Sequence, residues 1–132
     1  MCSNIEGTFF VRPSMGALFI FGERLMKIAI VGSRTVSCVE LDAFVSADDE
    51  IVSGGALGVD RCAAEYARAH GLPLVEFLPQ YERYGRAAPI VRNRQIVDYA
   101  DKVVAFWDGK SKGTQSVIAY AKKMGKECIV VF

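Results

Sequence analysis

Short, continuous runs of apolar residues alternate with segments of helical periodicity through most of the chain. Runs that are apolar on both faces are typical of a parallel sheet covered by helices on both sides. The pattern therefore predicts an α/β fold. Five runs predict β-strands: 27–31, 50–53, 74–78, 102–107 and 127–132.

The segments between these runs carry the signals of four helices. Ser37 and Glu40 form an S-x-x-E capping box, which predicts a short first helix that ends near the acidic turn 48–50. Proline at the start or glycine at the end marks the others. They are predicted over about 60–70, from near Pro89 to about Tyr99, and over roughly 113–124.

Strands that alternate with helices predict right-handed crossovers and a Rossmann-like, doubly wound parallel sheet. The predicted order of the five strands is 3-2-1-4-5, with helices on both faces. In that order the first and fourth strands are neighbours and the chain reverses direction between them. Ligands of such sheets bind in the crevice beyond the carboxyl ends of these strands.

Residues 1–25 differ in pattern from the rest. The apolar stretch 16–22 is far shorter than the roughly 20 residues that a membrane-spanning helix needs, and the segment lacks the basic start of a secretory signal. We therefore expect no membrane partner. The sequence predicts an N-terminal extension over 1–25, outside the core, and one Rossmann-like domain over 26–132.

Charge and cysteine content give further expectations. The 16 Lys and Arg against 15 Asp and Glu leave a net charge of +1, which argues against a polyanionic partner such as nucleic acid. The four cysteines form no CxxC pair, so neither a metal site nor a redox motif is expected. Reduced thiols are typical of a cytoplasmic protein. A homo-oligomer is left open.

Three glycine-bearing segments follow the first, second and fourth predicted strands: Gly32-Ser33-Arg34, 53–60 and 107–114. Glycine lets backbone approach a ligand, a guanidinium suits phosphate, and N–H groups at a helix N-terminus attract anions. Each segment alone can also be a tight turn or an exposed connection. Because the three strands are contiguous in the predicted order, we expect these segments to converge on one phosphate site.

The longest connection, 79–88, interleaves tyrosines with arginines. Tyr81 and Tyr84 alternate with Arg83 and Arg86. Such side chains can stack on a base and hold a phosphate. They can equally pack a long loop onto the sheet, and the sequence leaves both readings open.

Together these motifs resemble the SLOG superfamily of Rossmann-like nucleotide-binding proteins, and more closely its small YspA-like branch. The motifs are IVGSR (30–34), VSGGALGVD (52–60), YGRAAPIVRNR (84–94) and AFWDGKSKGT (105–114). The resemblance implies a ligand derived from a nucleotide or ADP-ribose, and no cofactor is expected. It implies a pocket lined by Gly32, Ser33 and Arg34, by Ser53, Gly54, Gly55, Gly58 and Asp60, and by Ser111, Gly113 and Thr114, and closed by Arg92 and Asn93.

Two groups of relatives suggest rival functions. The LONELY GUY phosphoribohydrolases are similar around Gly113-Thr114, but their catalytic glutamate falls on Val117 here, which leaves Asp60 and Asp108 as weak catalytic candidates. DNA-processing proteins of the DprA type are similar in GSR and in the following glycine loop, and they bind single-stranded DNA. The leading prediction is a nucleotide-sensing or nucleotide-sequestering domain, with a nucleotide-cleaving enzyme and a single-stranded DNA binder as alternatives.

Overall fold

The computed structural model describes residues 26–36, 40–55 and 58–132. The strands are β1 (Lys27–Gly32), β2 (Glu50–Ser53), β3 (Leu74–Glu76), β4 (Lys102–Phe106) and β5 (Glu127–Val131). The helices are α1 (Val59–His70), α2 (Tyr81–Tyr84), α3 (Ala88–Tyr99) and α4 (Lys112–Lys123), with a 3₁₀ turn (Gly85–Ala87) between α2 and α3.

The strands form one parallel sheet in the order β3-β2-β1-β4-β5. This confirms the predicted fold class and strand order. The central strand β1 pairs with β2 on one side and with β4 on the other, and Gly32 is in register with Phe106. The carboxyl ends of β2, β1 and β4 therefore lie side by side, and the loops that follow them start from one edge of the sheet.

Alternate residues of β1 enter two separate apolar clusters, as the strand periodicity of two requires. Ile28 and Ile30 pack on one face of the sheet with residues of α1, while Ala29 and Val31 pack on the other with residues of α3 and α4. Helices thus cover both faces. The contributing helix residues are Val59, Ala63 and Ala67 on the first face, and Ile96, Val97, Val117, Ile118 and Ala121 on the second.

The predicted first helix is wrong for the described part of its span. Residues 40–49 form turns, while Ser37 of the expected capping box lies outside the described residues. One helical turn does form, because the amide of Val45 donates to the carbonyl of Leu41 at 3.1 Å. The Asp49 carboxylate then accepts from the amide of Ser46 at 2.7 Å, and such a local side-chain bond competes with helix propagation.

The connection after β3 is more ordered than the sequence predicted. The strand ends at Glu76, earlier than the predicted 74–78, and Pro79 follows, a residue that cannot donate to a strand ladder. The short helix α2 and the 3₁₀ turn then lead directly into α3. The loop predicted over 79–88 is therefore largely helical.

The predicted division at residue 26 stays a prediction, because the extension 1–25 lies outside the described residues. Among the residues that the structure describes, no helix is long and apolar enough to cross a membrane. Within the same ranges, no group of three or more His, Cys, Asp or Glu side chains is arranged to hold a metal ion.

Candidate functional site

The loops after β1 and β4 are joined by hydrogen bonds at the carboxyl edge of the sheet. The amide of Asp108 donates to the hydroxyl of Ser33 at 3.2 Å, and the hydroxyl of Thr35 donates to Asp108 Oδ2 at 2.7 Å. Ser33 is buried, and its amide donates to the carbonyl of Phe106 at 3.0 Å. These bonds fix the path of the backbone on both sides of Arg34, whose side chain is exposed.

The Asp108 carboxylate is committed to this junction. Its Oδ1 atom accepts from the amides of Lys110 and Ser111, both at 2.8 Å. The hydrogen bond from the Ser111 amide, followed by those from the Thr35 hydroxyl and the Lys110 amide, holds the pKa of the Asp108 carboxyl well below its usual range. Asp108 is therefore an ionised structural acceptor, poorly suited to act as a general base.

The loop after β2 packs against the loop after β1 at Gly58. A Cβ atom on Gly58 would stand 2.9 Å from the carbonyl oxygen of Val36 and 3.0 Å from that of Arg34, and its φ of +76° lies in the left-handed region. Both conditions favour glycine. Gly58 thus lets two backbones meet, and all three predicted segments converge.

Gly32 serves packing inside the fold. A Cβ atom there would lie 2.5 Å from Val59 Cγ2 and 2.7 Å from the carbonyl oxygen of Phe106. The glycine therefore allows the start of α1 to approach the end of β1. In the described structure Gly32 therefore supports the site through packing beneath it.

The residues at the end of β2 form a compact hydrogen-bonded turn. The buried hydroxyl of Ser53 accepts from the amide of Gly55 at 3.3 Å and donates to the carbonyl of Asp60 at 3.4 Å. Gly55 has a φ of +72° and is exposed. Ser53 thus supports the turn from inside, and Gly55 is its solvent-facing residue.

Arg92 reaches this turn from α3. Its Nη1 atom donates to the carbonyl of Gly54 at 2.7 Å, and its Nε atom donates to Asn93 Oδ1 at 2.9 Å. Arg92 therefore contacts the glycine loop and Asn93 contacts Arg92, while the closing of a ligand pocket by the two residues stays a prediction. Part of the guanidinium is used to hold the loop.

Asp60 lies in the first turn of α1 and is 7% exposed. The N-cap residue of this helix is Gly58, which provides no side-chain hydrogen bond. The Oδ2 atom of Asp60 lies 3.0 Å from where a Cβ on Gly54 would stand. A carboxylate at this position already places negative charge at the positive end of the α1 dipole.

The first turn of α4 differs from that of α1 in its charged residues, and the Asp108 carboxylate precedes it, bound to the amide of the cap residue. Ser111 is its N-cap, and its hydroxyl accepts from the amide of Thr114 at 3.4 Å. The first turn contains no acidic residue, and Lys110 and Lys112 on either side of the cap are exposed. The nearest atom to a Cβ on Gly113 would be Ser111 Oγ at 4.0 Å, so the approach to this helix end is open.

The structure also brings forward two residues that sequence reasoning missed. Thr35 is a partner of Asp108, as described above. Glu76 ends β3 and lines an open groove of about 380 Å³ together with Gly55, Asp60, Arg61, Ala64 and Glu65. No sequence signal marked Glu76, because the predicted strand 74–78 placed it in mid-strand, whereas the strand ends at Glu76 in the structure.

A parallel five-stranded sheet with polar, glycine-bearing loops along its carboxyl edge defines a Rossmann-like domain. Within that class, residues 26–84 match the model of the YAcAr family, described as the YspA, cpYpsA-related SLOG family. The resemblance predicted from the motifs is confirmed. No curated protein shows a significant match to the chain.

A solved structure from Helicobacter pylori is similar in fold. It is that of DNA processing protein A, described for its single-stranded DNA binding mode; the identity is 24% and the TM-score 0.60. The match covers 80% of this chain and 64% of that one. From the balance of charges we expected no nucleic-acid partner. This likeness contradicts that expectation, because a protein described as binding single-stranded DNA has a similar fold. A net charge near zero does not describe the local charge of one surface.

Proposed function

We propose that the chain binds a phosphate-bearing ligand of the nucleotide or ADP-ribose type at the carboxyl edge of β1, β2 and β4, as a sensing or sequestering domain. The proposal is based on the environment of Arg34. Its backbone is held between Gly58 on one side and the Ser33–Asp108 junction on the other, while its guanidinium is exposed. A fixed backbone with a free cationic head is well suited to phosphate recognition.

The phosphate belongs at the N-terminus of α4 in this proposal. Both α1 and α4 begin at the ligand edge, but the carboxylate of Asp60 already occupies the positive end of α1 and would repel an anion there. The first turn of α4 itself contains no acidic residue and is flanked by Lys110 and Lys112, so it offers two cations beside the Asp108 carboxylate that accepts from the amide of the cap residue Ser111. An anion there interacts with the helix dipole and with two cations.

The direct test uses the full chain. Native mass spectrometry of gently purified protein would detect a co-purifying ligand by its mass. Calorimetric titration with AMP, ADP-ribose and adenosine then separates the contribution of the phosphate. We expect the two phosphate-bearing compounds to bind and adenosine to bind much more weakly. Equal binding of adenosine, or binding of none of the three together with no co-purifying mass, would contradict the proposal.

Single-stranded nucleic acid is a second candidate, since the Helicobacter pylori protein of similar fold is described as binding single-stranded DNA. A surface near α2 favours it in this chain. Tyr81 is 60% exposed, and the guanidinium of Arg83 lies 5.5 Å from the ring centre of Tyr84. Exposed aromatic rings beside arginines are the usual elements of single-strand binding surfaces.

Fluorescence anisotropy with a labelled oligodeoxynucleotide tests this candidate. Binding that falls steeply with salt and is lost in Tyr81→Ala and Arg83→Ala would support it. Lys123→Ala, in the last turn of α4, removes a cation at the other end of the sheet and serves as the control. Equal loss in the control would indicate non-specific attraction.

A further inference from the structure

A carboxylate stands beside the proposed ligand site at the end of β3. Glu76 is the last residue of that strand and is in register with Ser53 of β2. Its Oε2 atom lies 3.9 Å from where a Cβ on Gly55 would stand, and the side chain is exposed. Leu78 Cδ2 lies nearer to the same Cβ position, so Glu76 and the exposed Leu78 side chain both flank Gly55 at the carboxyl edge of the sheet.

The space beside Gly55 is one end of a groove of about 380 Å³ that runs along α1 from Asp60 to Arg68 and is bordered by Gly55 and Glu76. Ala64, which is 5% exposed, is the small residue on its helix side. A small side chain there leaves room for a ring-sized group. The groove opens next to Gly55, so a ligand held at the three loops can extend into it.

The acidic side chains that line this groove differ in their burial and in their interaction partners. Glu65 forms an ion pair with Arg61 at 3.6 Å, and Asp60 is almost fully buried. Glu76 forms neither an ion pair nor a hydrogen bond with any residue in the ranges that the structure describes. Of the three carboxylates, that of Glu76 is the one without a partner among the described residues.

An exposed carboxylate accepts hydrogen bonds and repels phosphate, so it favours the hydroxyl-bearing part of a nucleotide. In doubly wound folds an acidic residue commonly hydrogen-bonds ribose hydroxyls. The spacing of about 4.8 Å between strands puts the ends of β3 and β4, where α4 begins, roughly 14 Å apart. A nucleoside phosphate and the extended Glu76 side chain together can span that distance.

We infer that Glu76 accepts hydrogen bonds from the ribose hydroxyls of the bound ligand and so selects ribonucleotide-type ligands over their 2′-deoxy counterparts. This rests on the proposed nucleotide function and adds the sugar specificity of the same site. Glu76 acts by recognition, so the inference involves no bond cleavage. A contact between Glu76 and the 2′-hydroxyl would also distinguish a ribonucleotide from DNA, because DNA lacks that hydroxyl.

The test compares affinities within matched pairs. The full chain is titrated with AMP, GMP, CMP and UMP and with the 2′-deoxy form of each. A charge-assisted hydrogen bond corresponds to a preference of about tenfold or more for the ribose form. In Glu76→Gln we expect this ratio to fall toward one, while Glu76→Asp retains part of it.

The ratio is the appropriate measure, because removing a negative charge near phosphate can raise every affinity together. Glu65→Gln, in the same groove but paired with Arg61, is the matched control and should keep the preference of the wild type. An unchanged ratio in Glu76→Gln, or equal affinities for ribose and deoxyribose forms in the wild type, would overturn the inference and leave the proposed function standing. Binding neither to any of the eight compounds nor to ADP-ribose would instead count against the proposed function itself.

Discussion

The amide of Asp108 donates a hydrogen bond to the hydroxyl of Ser33 at 3.2 Å and so joins two loops across 75 residues of sequence. Both residues lie in segments predicted to contact a ligand. Ser33 is buried, and the carboxylate of Asp108 is satisfied by its own loop and by Thr35. These polar groups therefore hold the site together and leave ligand contact to the exposed groups beside them.

The charge of Asp108 should stabilise the fold above acidic pH. Hydrogen bonds from the Ser111 amide, the Thr35 hydroxyl and the Lys110 amide lower the pKa of the carboxyl in the folded state. A lowered folded pKa adds stability above the unfolded value of about 3.9, and this stability is lost as the pH falls toward the folded pKa. We expect Asp108→Asn to unfold more easily than the wild type at pH 7.

Urea unfolding at a series of pH values checks this expectation. The difference in free energy of unfolding between wild type and Asp108→Asn should be constant above about pH 5 and shrink below about pH 4. Asp48→Asn, at an exposed position in the connection after β1, is the control and should show a smaller difference. A difference that grows on acidification would contradict the assignment of Asp108.

Gly58 should tolerate substitution much less well than Gly113. Gly58→Ala places a methyl group against the carbonyl oxygens of Val36 and Arg34 at a φ of +76°. The left-handed conformation and the overpacking together should cost roughly 2–5 kcal/mol. Gly113→Ala enters open space in a helix and should leave stability unchanged or raise it by up to about 1 kcal/mol. Thermal and urea unfolding of both variants measure the contrast, and equal costs would show that the two loops do not meet at Gly58.

The strands and their order were predictable because each buried parallel strand is a continuous apolar run, and the βαβ rules leave few arrangements of such runs. The convergence of the three loops followed from that order. The first helix was not predictable, because an S-x-x-E pattern carries no information about the competing bond between Asp49 and the amide of Ser46.

The division of the site into structural and accessible groups also could not be predicted. Glycine serves several purposes, and only the three-dimensional structure shows that Gly32 accommodates Val59 whereas Gly113 is open. Glu76 was missed because a single acidic residue within a predicted strand forms no recognisable motif. Its relation to Gly55 depends on the register between β2 and β3 and on the turn that follows β2.

Arg34→Ala should weaken ligands that carry phosphate. If its charged hydrogen bonds to phosphate are direct, the loss is about 1.5–3 kcal/mol, and adenosine binding should change little. Calorimetric titration with AMP and ADP-ribose measures the loss, and Lys123→Ala controls for a general effect of removing one positive charge. Unchanged affinity in Arg34→Ala would assign this side chain to the solvated surface.

Deleting residues 1–25 should leave folding intact. Every described strand and helix begins after Met26, and the carbonyl of Met26 accepts from the amide of Glu50 at 2.9 Å, so residue 26 itself is retained. We expect cooperative thermal unfolding with little change in midpoint. Loss of a cooperative transition would mean that the extension contributes to the core.

We expect little or no release of free base from nucleoside monophosphates or ADP-ribose. Cleavage of an N-glycosidic bond builds positive charge on the sugar, which a nearby carboxylate commonly stabilises, or the carboxylate activates the attacking water. The position of the glutamate in the LONELY GUY motif is Val117, which is 3% exposed in the apolar cluster beneath α4. The oxygens of Asp108 accept hydrogen bonds from its own loop and from Thr35, and Asp60 is buried at the start of α1. We assign Glu76 to the ribose hydroxyls, away from the bond between sugar and base.

The measurement is incubation of the purified full chain with these compounds, followed by chromatography of the products. Three variants assign any activity that is found: Asp60→Asn, Asp108→Asn and Glu76→Gln. Circular dichroism of each variant verifies that it is folded before its activity is compared. Multiple turnovers in the wild type that disappear in a folded variant would show that the protein is a hydrolase and contradict a function of binding alone. The substituted carboxylate would then act on the sugar or on the attacking water.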